Sequence, residues 1–176
     1  MQAVTRRKFK WFWAWQDERE EEWLRSMAQQ GWHLVSLFPT IYTFEQGEPR
    51  DDVYRLDFIT SNTDTEEYLQ LFADAGWEHF GVMSGWQYFR KPAAARQSDE
   101  IYTDPKSKAQ KYRRLIGFLV IFSPVWVVAV LPAYLTRVRG TLWALGPAVF
   151  SAAFSVVWAY GLIMIARRIR QLEAAP

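Results

Sequence analysis

EEWLRSMAQQGW, residues Glu21–Trp32, and EEYLQLFADAGW, residues Glu66–Trp77, are one motif written twice. Sliding the chain by 45 residues superposes Glu21 on Glu66, Leu24 on Leu69, Ala28 on Ala73, Gly31 on Gly76 and Trp32 on Trp77. The same offset carries Phe9, Trp11 and Trp13 onto Tyr54, Leu56 and Phe58. Self-similarity at a fixed period marks one supersecondary unit used more than once.

Outward from the motif, both copies follow one grammar. A period-two run (Phe9–Trp13, Val53–Ile59) reads as a half-buried strand. Asp17 with Glu20, and Asp64 with Glu67, have capping-box spacing with Asp as the cap. Trp23, Leu24, Met27 and Ala28 then recur in helical register, as do Tyr68, Leu69, Phe72 and Ala73. Gly31 and Gly76 stand where a helix ends in a left-handed residue. Two strands follow each glycine: Trp32–Leu37 and Ile41–Gln46, then Trp77–Met83 and Trp86–Lys91. Turns at Phe38-Pro39-Thr40 and Ser84-Gly85 divide them. The pattern predicts a duplicated βαββ α+β two-layer sandwich over residues 1–92, with repeats at about 7–46 and 52–91 and pseudo-twofold symmetry.

The C-terminal third belongs to another solvent. Mean hydropathy is −0.18, but from Leu115 to Ala166 the only charges are Arg137 and Arg139. A helix of about 20 apolar residues crosses a bilayer core of ~30 Å. Residues 115–135 give one predicted span of 21 and residues 141–166 another of 26. The interval 136–140 is too short for a domain, so a two-helix transmembrane hairpin is expected. Lys106, Lys108, Lys111, Arg113 and Arg114 precede the first span; Arg167, Arg168 and Arg170 follow the second. Eight basic residues against two in the loop predict a multi-pass cell-membrane protein with both termini cytoplasmic, the tail being residues 167–176. The first five form a basic juxtamembrane helix over 105–114, with Asp104 as N-cap and Pro105 at its first position, and are expected to meet anionic headgroups. Residues 93–104 read as a linker. Pro124, Pro132 and Pro147 are expected to bend the spans. Ala144, Ala148 and Ala152, and Ser151, Ser155 and Ala159, form small-residue ridges suited to helix packing, within the hairpin or between copies. Apart from the loop arginines the spans hold no ionisable side chain, which argues for an anchor over a transporter or pump.

The run KFKWFWAWQDEREEEWLRSMAQQGWHL, with GWQYFRKP and DEIYTDPKSKAQKYRRL, resembles the bacterial family catalogued as domain of unknown function 2812, over nearly the whole chain and its hydrophobic spans. The resemblance brings no catalytic residues. It implies a regulatory or stress-response setting, because genes of the family neighbour PadR-type regulators. In architecture alone, a duplicated βαββ domain looks like the gyrase-inhibitor-like effector-binding folds, which take small molecules between their repeats, some of them cationic and held by a buried acid. Fold likeness does not deliver function.

The residues themselves show no catalytic set. The chain has no cysteine, which removes disulfides, thiolate metal sites and a cysteine nucleophile. His33 and His79 fall on non-equivalent repeat positions and lack ligand-like spacing, so a structural role is expected and no metal or cofactor is. The acids Asp17–Glu22 suit a helix first turn through the dipole. A net charge of +2 gives no reason to expect nucleic acid. Ten tryptophans are the compositional excess. Trp11, Trp13, Trp23, Trp32 and Trp77 are expected in the core. Trp15, Trp86 and Tyr88 lie near strand ends and are candidates for a ligand or partner surface, with Asp57 as acid or as a water-facing residue. The expectation is a non-enzymatic, bilayer-anchored module that binds a small effector or a protein partner, the latter in a PadR-type regulator pathway. The alternative is an accessory subunit of a membrane transporter or envelope complex, acting through its spans.

Overall fold

The computed structural model describes residues 4–59, 65–93, 100–102, 105–125 and 145–174. The chain divides into two compact units, Met1–Asp104 and Pro105–Pro176. In the first, the order is β1 (Thr5–Phe9), α1 (Asp17–Gln29), β2 (Trp32–Phe38), β3 (Ile41–Gln46), β4 (Asp52–Phe58), α2 (Thr65–Asp74), β5 (Glu78–Met83) and β6 (Trp86–Pro92). The strand–helix–strand–strand unit occurs twice.

Backbone chemistry repeats with it. Gly31 and Gly76 take φ of 78° and 80°. Gly76 N–H donates to Ala73 O and Trp77 N–H to Phe72 O, both at 2.9 Å, the paired bonds of a Schellman helix end. Gly31 is needed twice over, since a Cβ there would also lie 2.6 Å from Gly47 O. Pro39-Thr40 and Ser84-Gly85 turn the two hairpins, with φ of 69° at Thr40 and 86° at Gly85, 45 positions on.

The six strands form two antiparallel three-stranded sheets, β1-β3-β2 and β4-β6-β5, one from each repeat. β2 and β5 touch, but among the described residues no ladder joins them. Each carries a bulge at the equivalent place, between Leu34 and Ser36 and between His79 and Gly81. A bulge disrupts pairing and bends its strand, so the sheets meet at two kinked edges. α1 packs against β2 of its own repeat and more extensively against β4 of the other. Glu21 takes the amide hydrogen of Leu56 on the edge strand β4 at 2.8 Å. The second repeat closes a core of Val53, Phe72, Trp77 and Phe89 under Tyr68 and Leu69 of α2.

β1 lies earlier than predicted. Its partner β3 begins at Ile41, opposite Phe9, and after one more bond from Lys10 N–H to Thr40 O there is nothing left to pair with. Residues 10–16 therefore leave the sheet. The capping box is also absent from α1: Asp17 lies inside the helix, and the N-cap Gln16 makes no side-chain cap bond. Its Oε1 instead accepts from Trp13 N–H at 3.2 Å, closing the turn that leads into the helix. Asp64 lies outside the described residues.

The second unit pairs α3 (Pro105–Val125) with α4 (Leu145–Glu173). Arg113 near the start of α3 forms an ion pair with Glu173 at the end of α4, so the helices run antiparallel. α4 is long and apolar enough to cross a membrane from Val149 onward, with mean hydropathy 2.0 and 11% of its most apolar window buried, where a soluble core helix would be mostly buried. Residues 126–144, which hold the second half of the first expected span, the loop and the start of the second, lie outside the described residues.

Candidate functional site

Reading α1 by its buried positions gives Asp17, Glu20, Glu21, Leu24, Met27 and Ala28, one helical stripe at i, i+3, i+4, i+7 spacing. Its first half is acidic. Buried carboxylates are costly unless bonded, so their partners define the site. Glu20 Oε1 accepts the hydroxyls of Tyr42 on β3 at 2.7 Å and Tyr88 on β6 at 2.6 Å. Each sheet thus contributes one phenol to one carboxylate oxygen. Among the described residues no donor engages Oε2. Burial raises the Glu20 pKa against the lowering effect of the two phenols. Burial and the Glu20 charge push both tyrosines above the usual phenol range, which keeps them as donors.

Above Glu20 lies a cavity of about 240 Å³. The two hairpin turns reach it together, Pro39 and Thr40 from one repeat and Met83, Ser84 and Trp86 from the other. Residues Lys10–Ala14, released from β1, form the remaining wall. Trp11 and Trp13 meet edge to face at 5.4 Å, and Trp13 stacks on Trp15 at 5.2 Å. Asp17 joins Glu20 on the lining, and Lys10 is its one basic group. The result is a small apolar cleft with acids at its floor.

The family model for the protein of unknown function DUF2812 matches residues 16–123. The chain belongs to the DUF2812 family. No curated protein and no solved structure is significantly similar. In this DUF2812 protein the match takes in Glu20, Tyr42, Trp86 and Tyr88, and begins after the Trp11–Trp15 wall.

Of the residues singled out from sequence, Trp86 and Tyr88 line the cavity; Trp15 stands behind it, stacked on Trp13. Asp57 is elsewhere and does not face water. At 2% exposure it accepts from Tyr68 at 2.8 Å, from Tyr102, and from Phe58 N–H at 2.7 Å. It follows Leu56, which lines the cavity, along β4 and so points to the opposite face. The acid of this cleft is Glu20, in the run first ascribed to the helix dipole. Among the tryptophans expected in the core, Trp77 is buried and Trp23 and Trp32 are half-buried. Trp11 and Trp13 are exposed because their strand ends at Phe9.

His33 uses both ring nitrogens on neighbours: Nε2–H donates to Glu48 O at 2.7 Å, and Nδ1 accepts from Arg50 at 3.1 Å. His79 bonds Gln87 at 2.9 Å. Among the described residues no three acids or histidines are grouped to hold a metal. A second, more polar depression of about 550 Å³ lies beside His33, Arg50, Phe80 and Arg90. Its arginines already pair with Asp52 and Glu78.

In the second unit, Lys106 and Arg113 are exposed, Lys108 and Arg114 half-buried, and Lys111 buried with its ammonium 5.0 Å from the Tyr112 ring. On α4, Ala152, Ser155 and Ala159 are exposed, and Ser151 is half-buried with its carbonyl bonded by Ser155 at 2.8 Å. Ala144 and the side chain of Ala148 lie outside the described residues.

Proposed function

We propose that the first unit is a receptor for a compact cationic ligand with an apolar or aromatic body, bound between the two repeats. The observation that carries this is Glu20: a buried carboxylate with one oxygen tied to two phenols, on the lining of an aromatic-walled cleft. A cation over tryptophan faces and beside a desolvated carboxylate gains from both. Phenyltrimethylammonium tests it, titrated into the full chain in nanodiscs and followed by tryptophan fluorescence. A unit charge pair at 4 Å is worth ~4 kcal/mol at an effective dielectric of about 20, and if only about a third of that is realised Glu20→Gln weakens binding about tenfold. Equal affinity in the two proteins would refute the reading.

The second unit serves as the membrane anchor in this proposal, a two-span hairpin with both termini cytoplasmic. Its support is the apolar length of α4, the outward Phe118, Val120 and Ile121 of α3, and the eight flanking basic residues. Tethering raises the receptor's effective concentration near membrane clients, which suits an effector-sensing module in a regulatory or stress-response system. The exposed small residues of α4 favour a second reading, an accessory subunit packed through its helices. Ala148→Leu with Ser155→Leu should break such a complex and leave ligand binding intact; co-purification of partners from the native host reads the difference.

A further inference from the structure

We propose that Glu100–Tyr102 is a releasable strap across the second sheet, and that its docking is coupled by charge to the Glu20 cleft, so that a bound cation holds it down. The coupling rests on the cation-receptor reading of the cleft. Side chains alternate along β4, so Val53, Arg55 and Asp57 share the face opposite to the cleft-lining Leu56. α2 packs over β5, at the far edge of that sheet. On the β4 side, three consecutive residues each take an anchor. Glu100 pairs with Arg55, Ile101 packs on the core of Val53, Phe72, Trp77 and Phe89, and the Tyr102 hydroxyl donates to Asp57. Tyr102 stands three residues before Pro105, where α3 begins.

Arg55 carries the coupling. Its Nη1 lies 3.4 Å from Glu21 Oε2 and its Nη2 3.3 Å from Glu100 Oε1. Charge-assisted bonds of this kind are ordinarily about 2.7–2.9 Å, so one guanidinium is divided between α1 and the strap and is close to neither. Its Nε is buried and, among the described residues, has no partner. Glu21 is fixed from the other side by Leu56 N–H at 2.8 Å, and it follows Glu20 directly on α1. With the strap docked, Glu100 sets a negative charge across Arg55 from the acidic turn of Asp17, Glu20 and Glu21, and draws the guanidinium away from that turn. Released, the strap takes its charge with it and leaves Arg55 to Glu21. The docked state therefore gives the cleft the stronger negative potential and binds a cation more tightly. By reciprocity, a cation in the cleft favours docking by the same factor. Three anchors keep the strap docked most of the time, so weakening the Asp57 anchor alone loosens it without changing ligand affinity. Removing the Glu100 charge changes both.

The chain has no cysteine, so a single introduced thiol reports local opening without background. In the full chain in nanodiscs, maleimide labelling rates are compared for Ile101→Cys on the strap, Val53→Cys at 0% exposure in the core beneath it, and Leu71→Cys at 67% exposure on α2. A strap that opens on its own makes the thiol at 101 react far more slowly than that at 71, and at least about tenfold faster than that at 53. Saturating phenyltrimethylammonium should slow labelling at 101 several-fold and leave 71 unchanged. Glu100→Gln should remove most of that slowing and weaken phenyltrimethylammonium binding several-fold. Glu20→Gln takes away the cleft charge with no ligand present, and should itself slow labelling at 101. Equal rates at 101 and 53, or at 101 and 71, would overturn the strap. Ligand binding seen by tryptophan fluorescence that leaves the rate at 101 unaltered overturns the coupling and spares the cleft. A chain that binds no phenyltrimethylammonium loses the receptor reading, and the coupling is then decided by Glu20→Gln: slower labelling at 101 supports it and an unchanged rate sinks it.

Discussion

Glu20→Gln tests the buried carboxylate through stability as well as through binding. Glutamine keeps the shape and still offers an oxygen to Tyr42 and Tyr88, now at 2.7 and 2.6 Å from a carboxylate. Each bond falls from the charge-assisted class, about 1.5–3 kcal/mol, to the neutral class, about 0.5–1.5, a loss of roughly 2 kcal/mol for the pair. Against it stands relief of the burial penalty, which for a carboxylate at 6% exposure is of the same order or larger. The pH dependence gives the sign. The folded-state pKa of Glu20 is raised above its unfolded value near 4.5. The native state therefore holds the proton where the unfolded state has released it, and stability falls as pH climbs through that interval. The variant lacks this loss. In thermal melts of the full chain in detergent, followed by near-ultraviolet circular dichroism, Glu20→Gln should gain on the wild type from pH 4.5 upward, about 1.4 kcal/mol for each unit by which the pKa is raised. A flat difference across that range, or a variant that loses ground as pH rises, would refute the argument.

Three further substitutions probe the frame around the cleft. Tyr88→Phe removes one of two donors to a buried charge and should cost about 1.5–3 kcal/mol in denaturant unfolding, with Tyr42→Phe similar. Gly31→Ala meets both a positive φ and the carbonyl of Gly47, and should lower stability by on the order of 2 kcal/mol or more in the same assay; Gly117→Ala, where an added Cβ meets nothing within 4 Å, should be neutral or slightly stabilising. Asp57→Asn weakens the bonds from Tyr68 and Tyr102 and should destabilise by about 1–3 kcal/mol without changing phenyltrimethylammonium affinity, because Asp57 lies on the other face of β4. Fluorescence titration of that variant checks the second half of the statement.

Helices, glycine stops and hairpins were legible because each carries its own local chemistry. Gly31 and Gly76 announce a left-handed residue, and Pro39-Thr40 and Ser84-Gly85 announce turns, whatever the rest of the chain does. The extent of β1 was not legible, since the length of its partner sets it, and Trp11 and Trp13 were misplaced for that reason. The preference of α1 for β4 of the other repeat depends on which strand edge remains open, a long-range property. Glu20 could have been found. Asp17, Glu20 and Glu21 fall on the stripe of Leu24, Met27 and Ala28, and acids on a buried stripe need partners; the helix dipole explained their presence at the N-terminus without asking which way they point. In the second repeat Thr65 occupies the position equivalent to Glu20, so the duplication itself gives no second copy of the site.

The bond from Tyr88 to Glu20 closes a separation of 68 residues. During synthesis, α1 leaves the ribosome with its acidic stripe and its apolar residues before β4, which packs on it, and before β6, which brings Tyr88 to Glu20. At about 5–20 residues per second, that interval lasts several seconds. The first repeat cannot complete its core alone, and the open edge of β4 waits for Glu21 to take its amide. The two repeats therefore mature together, and the nascent half-domain is the species on which a chaperone would act.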